Sequence, residues 1–183
     1  MFPGKSQYSS EPAPGDLRIE VAVNSVNPFN WFRVGRKLRK LKPDLVIIRY
    51  WIPFMAPSLG TIASVIRKNK HSKVVAITDN IIPHEKMPGG RLLSKYFVNR
   101  CDAFVAMSRS VLSDLEKLDN QKPKTYTPHP LYDNFGKAIS KDEAKRNLGL
   151  DSQTAYILFF GFIREYKGLH LLLKAFSDER LRK

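Results

Sequence analysis

The fold is decided by residues 42–78, which read KPDLVIIRYWIPFMAPSLGTIASVIRKNKHSKVVAIT. The segment Lys42-Pro43-Asp44 interrupts a preceding helical pattern, and the apolar run at 45–49 has the length of a short buried strand. Apolar side chains then recur at helical spacing over residues 57–68. Residues 73–78 return to a strand pattern. The stretch is therefore predicted to form a strand–helix–strand unit.

The same alternation extends in both directions from this unit. Upstream, Asn27-Pro28 predicts the cap and the first turn of a helix over residues 28–41. Downstream, residues 90–100 have a helical pattern, residues 102–107 have a strand pattern, and Ser108 is the cap of another helix. Strands and helices that alternate at these lengths predict an α/β fold, a Rossmann-like parallel sheet with flanking helices that cover both of its faces.

The terminal segments have weaker patterns. Residues 1–16 are rich in Pro, Gly, Ser and Glu, which predicts an irregular lead-in, and the alternation in residues 17–23 predicts an edge strand. Domain boundaries follow from these patterns. We predict a first domain over residues 1–127, a connector and helix over 128–150, and a β-α unit over 151–183.

A capped helix is predicted at the end of the connector, before the C-terminal β-α unit. Ser140 and Glu143, three residues apart, form a capping box that predicts a helix over 141–148. Residues 155–160 are very apolar and predict a strand, after which Gly168 opens the final helix. One such unit cannot bury its own core, so we expect the second domain to be cut short.

Charge is the main feature of the composition. The chain has 183 residues with 31 Lys and Arg against 17 Asp and Glu, a formal net charge of +14. An apolar content of 43% excludes a disordered acidic tail, and the single Cys101, expected to be buried, excludes an internal disulfide and a cysteine-based zinc cluster. The excess of positive charge indicates a polyanionic partner: nucleic acid, an acidic membrane or a phosphate-bearing substrate.

The most informative motif is FFGFIREYKG at residues 159–168. The predicted strand ends at Gly161, a short loop carries Arg164 and Lys167, and Gly168 begins a helix. Ligands of doubly wound sheets bind at the carboxyl ends of strands, where a glycine lets them approach the backbone and Arg and Lys match phosphate oxygens. The motif predicts a diphosphate site, and the alternative is a solvated basic loop.

These residues resemble the strand–loop–helix that opens the C-terminal domain of family-4 (group 1) glycosyltransferases, which have the GT-B fold of two Rossmann-like domains. The resemblance implies retaining transfer of a sugar from a nucleotide-diphosphate donor to an acceptor hydroxyl. It places Arg164 and Lys167 on the diphosphate, with Gly161 beside it. No cofactor beyond the donor substrate is implied, and no metal is expected because no Asp-x-Asp motif occurs.

The resemblance extends upstream through the segments 42–46, 49–51, 78–85, 102–108 and 129–135. Two parts of the family pattern have no counterpart: the leading strand with its Gly-rich loop, and the Glu-x7-Glu motif of the C-terminal domain. We therefore expect an internal fragment that contains most of the acceptor-side domain and the first β-α unit of the donor-binding domain.

Candidate site residues follow the second predicted strand. Thr78 stands where many family members have a His, and Asp79 matches the Asp of that His-Asp pair. Asp79 and His84 are candidate catalytic residues, and Asn80 and Glu85 are candidate substrate ligands. The alternative for this segment is loop capping and turn formation, which Asp, Asn and Pro favour.

Two further residues complete the candidate set. Arg49 ends an apolar strand, where a buried charge needs a partner, so a role in the cleft and a structural ion pair remain equally open. His129 lies between two prolines in the connector. A structural role is favoured for His129, and a ligand contact is the alternative.

The helix at 28–41 suggests a membrane partner. Six basic residues lie from Arg33 to Lys42 with no acid between them, and Trp31, Val34, Leu38 and Leu41 form an apolar stripe. The stripe is expected to face the core while the charged face contacts an anionic membrane surface.

Together with the resemblance, this helix predicts a cytoplasmic protein, peripheral at the inner face of the membrane. Its acceptor is expected to be a glycan or a lipid-linked molecule, in bacterial envelope or exopolysaccharide synthesis. One alternative is a basic nucleic-acid-binding module, but the sequence has no helix-turn-helix, zinc finger or RNP-type strand, so nucleic acid is not expected. The other alternative is a non-catalytic remnant that binds a partner protein.

Overall fold

The computed structural model describes residues 15–82, 88–131 and 136–181. The described residues divide into two compact units: 15–82 and 89–127 form the first, and Pro88 with 128–131 and 136–181 forms the second. Most of the predicted lead-in and the candidates His84 and Glu85 lie outside the described residues.

The first unit is built on a sheet of four parallel strands. They are β1 (Leu45–Tyr50), β2 (Lys73–Thr78), β3 (Ala103–Ala106) and β4 (Lys124–Tyr126), and they lie side by side in that order. The helices of this unit are α1 (Pro28–Leu41), α2 (Ala56–Arg67), α3 (Gly90–Val98) and α4 (Arg109–Leu118). The predicted α/β fold with a Rossmann-like parallel sheet and flanking helices is confirmed.

One face of the sheet carries the core. The buried core residues Ile48, Val74, Ala76, Phe104 and Ala106 alternate along the strands with less buried neighbours and pack with apolar side chains of the helices. Parallel strands in consecutive order, joined by right-handed crossovers, have their connecting helices on the same face. This connectivity explains why the helices cover only one face of the sheet.

The prediction that helices cover both faces is wrong for the described residues. On the opposite face Leu45 and Ile47 of β1 are exposed, and Val75 and Ile77 of β2 are only partly buried. A reversal of the strand order would be needed to place helices on both sides, and the four strands contain none.

Helix α1 begins and ends as its sequence predicts. The side chain of Asn27 accepts a hydrogen bond from the Asn30 N–H at 3.3 Å, and the chain leaves the helix at Lys42 with φ of 46°. Of the predicted apolar stripe, Val34 is buried, and Trp31 and Leu38 pack against the core. Leu41 is exposed, contrary to the prediction, because it is the last helical residue before the chain turns towards β1.

The predicted edge strand at 17–23 does not form. The segment instead lies along α1, where Asn30 Nδ2 donates to the carbonyl of Ala22 at 3.0 Å and Lys37 Nζ contacts both carboxylate oxygens of Glu20 at 2.5 and 2.6 Å. These side-chain contacts take the place of a strand ladder. The alternate side chains Leu17, Ile19, Val21 and Val23 remain exposed.

The described part of the second unit has two α-helices, α5 (Lys141–Asn147) and α6 (Leu169–Phe176). The predicted cap of α5 is confirmed, because Ser140 Oγ accepts from the Glu143 N–H at 3.2 Å. Lys145 is buried and joins α5 to the following loop: its Nζ donates to the carbonyls of Ser152 and Thr154 and lies 5.6 Å from the Tyr156 ring.

The predicted strand at 155–160 is not a strand in this structure. Its side chains are largely exposed, up to 89% for Phe160. A strand needs the backbone hydrogen bonds of a neighbour, and the second unit offers it no strand among the described residues.

Candidate functional site

The carboxyl ends of β1 and β2 bring together two candidate residues of the first unit. Arg49 and Asp79 form a bidentate pair, with Arg49 Nε at 2.8 Å from Asp79 Oδ2 and Arg49 Nη2 at 3.0 Å from Asp79 Oδ1. The Asp79 side chain is 23% exposed and that of Arg49 is 62% exposed. The sequence left Arg49 open between an ion pair and a role in a cleft, and the structure contains the ion pair, at the carboxyl ends of two neighbouring strands.

The position of Asp79 is set by the sheet. Its N–H donates to the Tyr50 carbonyl at 3.0 Å, which extends the β1–β2 ladder by one residue beyond Thr78. The Arg49–Asp79 pair therefore follows from the register that places Arg49 opposite Ile77. Asn80 comes next along the chain and is half-buried.

Buried polar groups hold the segment after β2 in place. Thr78 Oγ1 donates to the Val105 carbonyl at 3.0 Å, and Ser94 Oγ donates to the Ile81 carbonyl at 2.6 Å. Thr78 is fully buried, so its hydroxyl does not face a ligand. Ser94 is not among the residues predicted from the sequence, although a serine among the apolar residues of α3 is a visible signal.

Tyr50 belongs to the same buried layer. Its hydroxyl lies 3.4 Å from Ser94 Oγ, and its ring stacks on Phe97 with 4.1 Å between ring centroids. Burial raises the pKa of Tyr50 to about 12, so the phenol is neutral at physiological pH. Tyr50 is therefore a packing and positioning residue at the carboxyl end of β1.

The predicted diphosphate loop, residues 161–168 of the second unit, has two glycines with positive φ. Gly161 has φ of 123° and Gly168 has φ of 72°, both in the region that favours glycine. Between them lies a single 3₁₀ turn at Glu165–Lys167, closed by the Lys167 N–H on the Arg164 carbonyl at 3.0 Å. The loop leads directly into α6, whose Leu172 N–H donates to the Gly168 carbonyl at 3.0 Å.

The loop exposes its cations at the start of a helix. Arg164 and Lys167 are both exposed, and Lys167 Nζ lies 5.5 Å from the centroid of the Tyr166 ring. The first N–H groups of a helix lack partners within it and attract anions. Exposed cations and the first amides of a helix are both groups that attract phosphate oxygens.

His129 is exposed and lies in the second unit. Its Nδ1 is 3.0 Å from the carbonyl oxygen of the adjacent Pro130. This contact is local, and it fits the structural role that the sequence favours.

The described residues contain neither a metal-binding cluster nor a helix that could cross a membrane. Within residues 15–82, 88–131 and 136–181 there is no group of three or more His, Cys, Asp or Glu side chains that could hold a metal ion. In the same residues, no helix has the length and apolar character needed to cross a membrane.

Comparisons of the chain with protein-family models, with curated proteins and with solved structures give no match. Function is therefore inferred from the residues themselves and from the motif resemblance.

Proposed function

We propose that the chain is part of a GT-B glycosyltransferase that transfers a sugar from a nucleotide-diphosphate donor to an acceptor hydroxyl with retention of configuration. The observation that carries this proposal is the loop from Gly161 to Gly168. It exposes Arg164 and Lys167 between two glycines of positive φ at the start of α6. The parallel α/β architecture of the first unit also supports it.

The chemistry of the loop suits a diphosphate leaving group. As the bond between the sugar and the diphosphate breaks, negative charge grows on the phosphate oxygens. Arg164 offers a planar fork of N–H donors and Lys167 a compact charge, and both stabilise that charge electrostatically. At Gly161 no atom lies within 4 Å of where a Cβ would be, so a phosphate can approach the backbone.

Asp79 and Asn80 are the groups that we assign to sugar or acceptor hydroxyls. A carboxylate accepts hydrogen bonds from hydroxyls, and an amide both donates and accepts them. Arg49 holds the Asp79 carboxylate in one orientation through its bidentate contact. By resemblance, the acceptor is a glycan or a lipid-linked molecule of the bacterial envelope, on the cytoplasmic side of the membrane.

The first test is the affinity of the chain for a panel of nucleoside diphosphates, measured by titration calorimetry beside the matching nucleosides. At least one diphosphate is expected to bind more tightly than its nucleoside. Because hydrogen bonds to charged groups contribute about 1.5–3 kcal/mol each, the double change Arg164→Gln and Lys167→Gln is expected to weaken binding by about a hundredfold or more.

The matched control is Arg146→Gln with Lys174→Gln, which removes the same charge from exposed positions of the same unit. This control is expected to retain the affinity. The proposal fails if no nucleoside diphosphate binds, or if both double variants lose affinity equally, because charge alone would then account for binding.

A further inference from the structure

The outer face of α1 is a basic and aromatic surface. We define it by Phe29, Phe32, Arg33, Arg36, Lys37 and Lys40, all of which are exposed. Residues spaced by three and four lie on one side of a helix, so these side chains form a continuous stripe. The stripe includes a shallow hollow of about 390 Å³ lined by Arg33, Arg36, Lys37 and Lys40.

The opposite side of α1 is fixed to the first unit. Val34 is buried, and a Cβ on Gly35 would lie 2.8 Å from Val65 Cβ, so the backbones of α1 and α2 approach closely there. Trp31 Nε1 donates to the Asn24 carbonyl at 2.7 Å. The helix is therefore anchored by its inner side, and the outer face is presented on a rigid support.

The charge of this surface is almost entirely positive. Helix α1 contains no acidic residue, and Glu20 of the adjoining segment pairs with Lys37 and also interacts with Arg33. The guanidinium of Arg36 lies 5.9 Å from the Phe32 ring centroid, so a cation and an aromatic ring are paired on the surface itself. A partner that complements this face has to be anionic.

Apolar side chains extend the surface beyond the cations. Phe29 is 87% exposed, and Val21 and Val26 of the adjoining segment are exposed as well. Val21 lines a second hollow beside the first, together with Glu20, Arg33 and Lys37, so aliphatic and basic groups lie next to each other there. An anionic lipid bilayer accommodates both kinds of group, because its phosphates pair with the cations and its interfacial region accepts the aliphatic and aromatic side chains.

We propose that the outer face of α1, with Val21 and Val26, docks the first unit on an anionic lipid bilayer. The helix lies in the plane of the surface, its Arg and Lys side chains contact lipid phosphates, and Phe29 enters the boundary of the acyl chains. This inference is independent of the proposed sugar transfer, because none of the residues that form it belongs to the diphosphate loop.

The test is sedimentation of the chain with vesicles of phosphatidylcholine mixed with phosphatidylglycerol, and with vesicles of phosphatidylcholine alone. Binding is expected with the anionic vesicles and is expected to fall as salt rises. Since each basic residue at an anionic surface changes the partition coefficient about fivefold, the triple change Arg33→Gln, Arg36→Gln and Lys40→Gln is expected to reduce it on the order of a hundredfold.

Two further variants test whether binding depends on this face of α1 or only on the net charge of the chain. The control Arg91→Gln, Lys95→Gln and Lys117→Gln removes the same charge from exposed residues of α3 and α4, and it is expected to bind vesicles with little change. Phe29→Ala is expected to weaken binding about tenfold, because it removes an apolar side chain that the bilayer would bury.

Three outcomes would overturn the proposal. One is the absence of binding to anionic vesicles. Another is an equal loss in the two triple variants while their circular dichroism remains that of the parent chain, because net charge would then explain the binding. The third is a gel shift with DNA or RNA that the α1 triple variant abolishes while vesicle binding is unchanged.

Discussion

At the residue scale, the single cysteine offers a chemical test of the core of the first unit. Cys101 is fully buried, and burial raises the pKa of its thiol to about 12, although the nearby Lys122 acts in the opposite direction. The thiolate is the reactive form of cysteine. We expect Ellman's reagent to modify Cys101 slowly in the native chain at mildly alkaline pH and rapidly in denaturant.

The raised pKa of the Cys101 thiol makes the stability of the fold depend on pH. Because the folded pKa lies above the unfolded value, the neutral thiol stabilises the fold fully below the unfolded pKa, and that stability is lost as pH rises towards about 12. The Cys101→Ser variant has no thiol and therefore measures the background signal of the reagent. Complete modification of the native chain at the rate of a small thiol would contradict the buried position.

The helix caps were predictable from sequence, and the ion pair of the candidate site was not. Asn27, Ser108 and Ser140 each accept the expected backbone hydrogen bond, because a cap depends on residues within one turn. Arg49 meets Asp79 through the register of two parallel strands. That register depends on the whole sheet, so the sequence could indicate only that Arg49 needed a partner.

At the element scale, α2 and α3 touch through a glycine. A Cβ placed on Gly60 would lie 2.5 Å from Tyr96 Cε1. The Tyr96 ring cannot move away freely, because its hydroxyl is 3.0 Å from Thr61 Oγ1 and the Arg100 guanidinium lies 4.8 Å from its centroid. Gly60 is therefore required by the packing of the two helices.

We expect Gly60→Ala to lower the free energy of unfolding. Overpacking costs about 1–3 kcal/mol, and the better helix propensity of Ala returns only about 1 kcal/mol. Urea unfolding followed by circular dichroism measures the difference. In a Tyr96→Leu background the ring is absent, so the same substitution is expected to be neutral or stabilising, and an equal destabilisation in both backgrounds would show that the contact with Tyr96 is not the cause.

The strands also show which elements sequence can predict. Segments 45–50 and 73–78 form β1 and β2 because each finds a parallel neighbour, as their apolar runs predict. Segment 155–160 is at least as apolar, yet it forms no strand in the second unit. Residues 17–23 likewise have a strand pattern and lie along α1 instead. Apolar pattern predicts the tendency to form a strand, and pairing decides the outcome.

At the scale of the whole molecule, burial is divided unequally between the two units. Every buried apolar side chain of the described residues belongs to the first unit, from Val34 to Leu115. In the described part of the second unit, the single buried residue is Lys145, which is held by two carbonyls. Apolar burial is the dominant favourable contribution to folding, so the two units are expected to differ in stability.

Hydrogen exchange measures this difference directly. Amides of β1, β2 and β3 are hydrogen-bonded over a buried core, and we expect them to exchange on the order of a thousandfold more slowly than an unstructured peptide. Amides of residues 155–163 lie outside any ladder or helix, so we expect exchange near the unstructured rate. Helix α6 should be intermediate, because its hydrogen bonds are local and its apolar side chains are largely exposed. Equal protection of residues 155–163 and β2 would contradict this, since it would require hydrogen-bonding partners for 155–163 that the described residues do not provide.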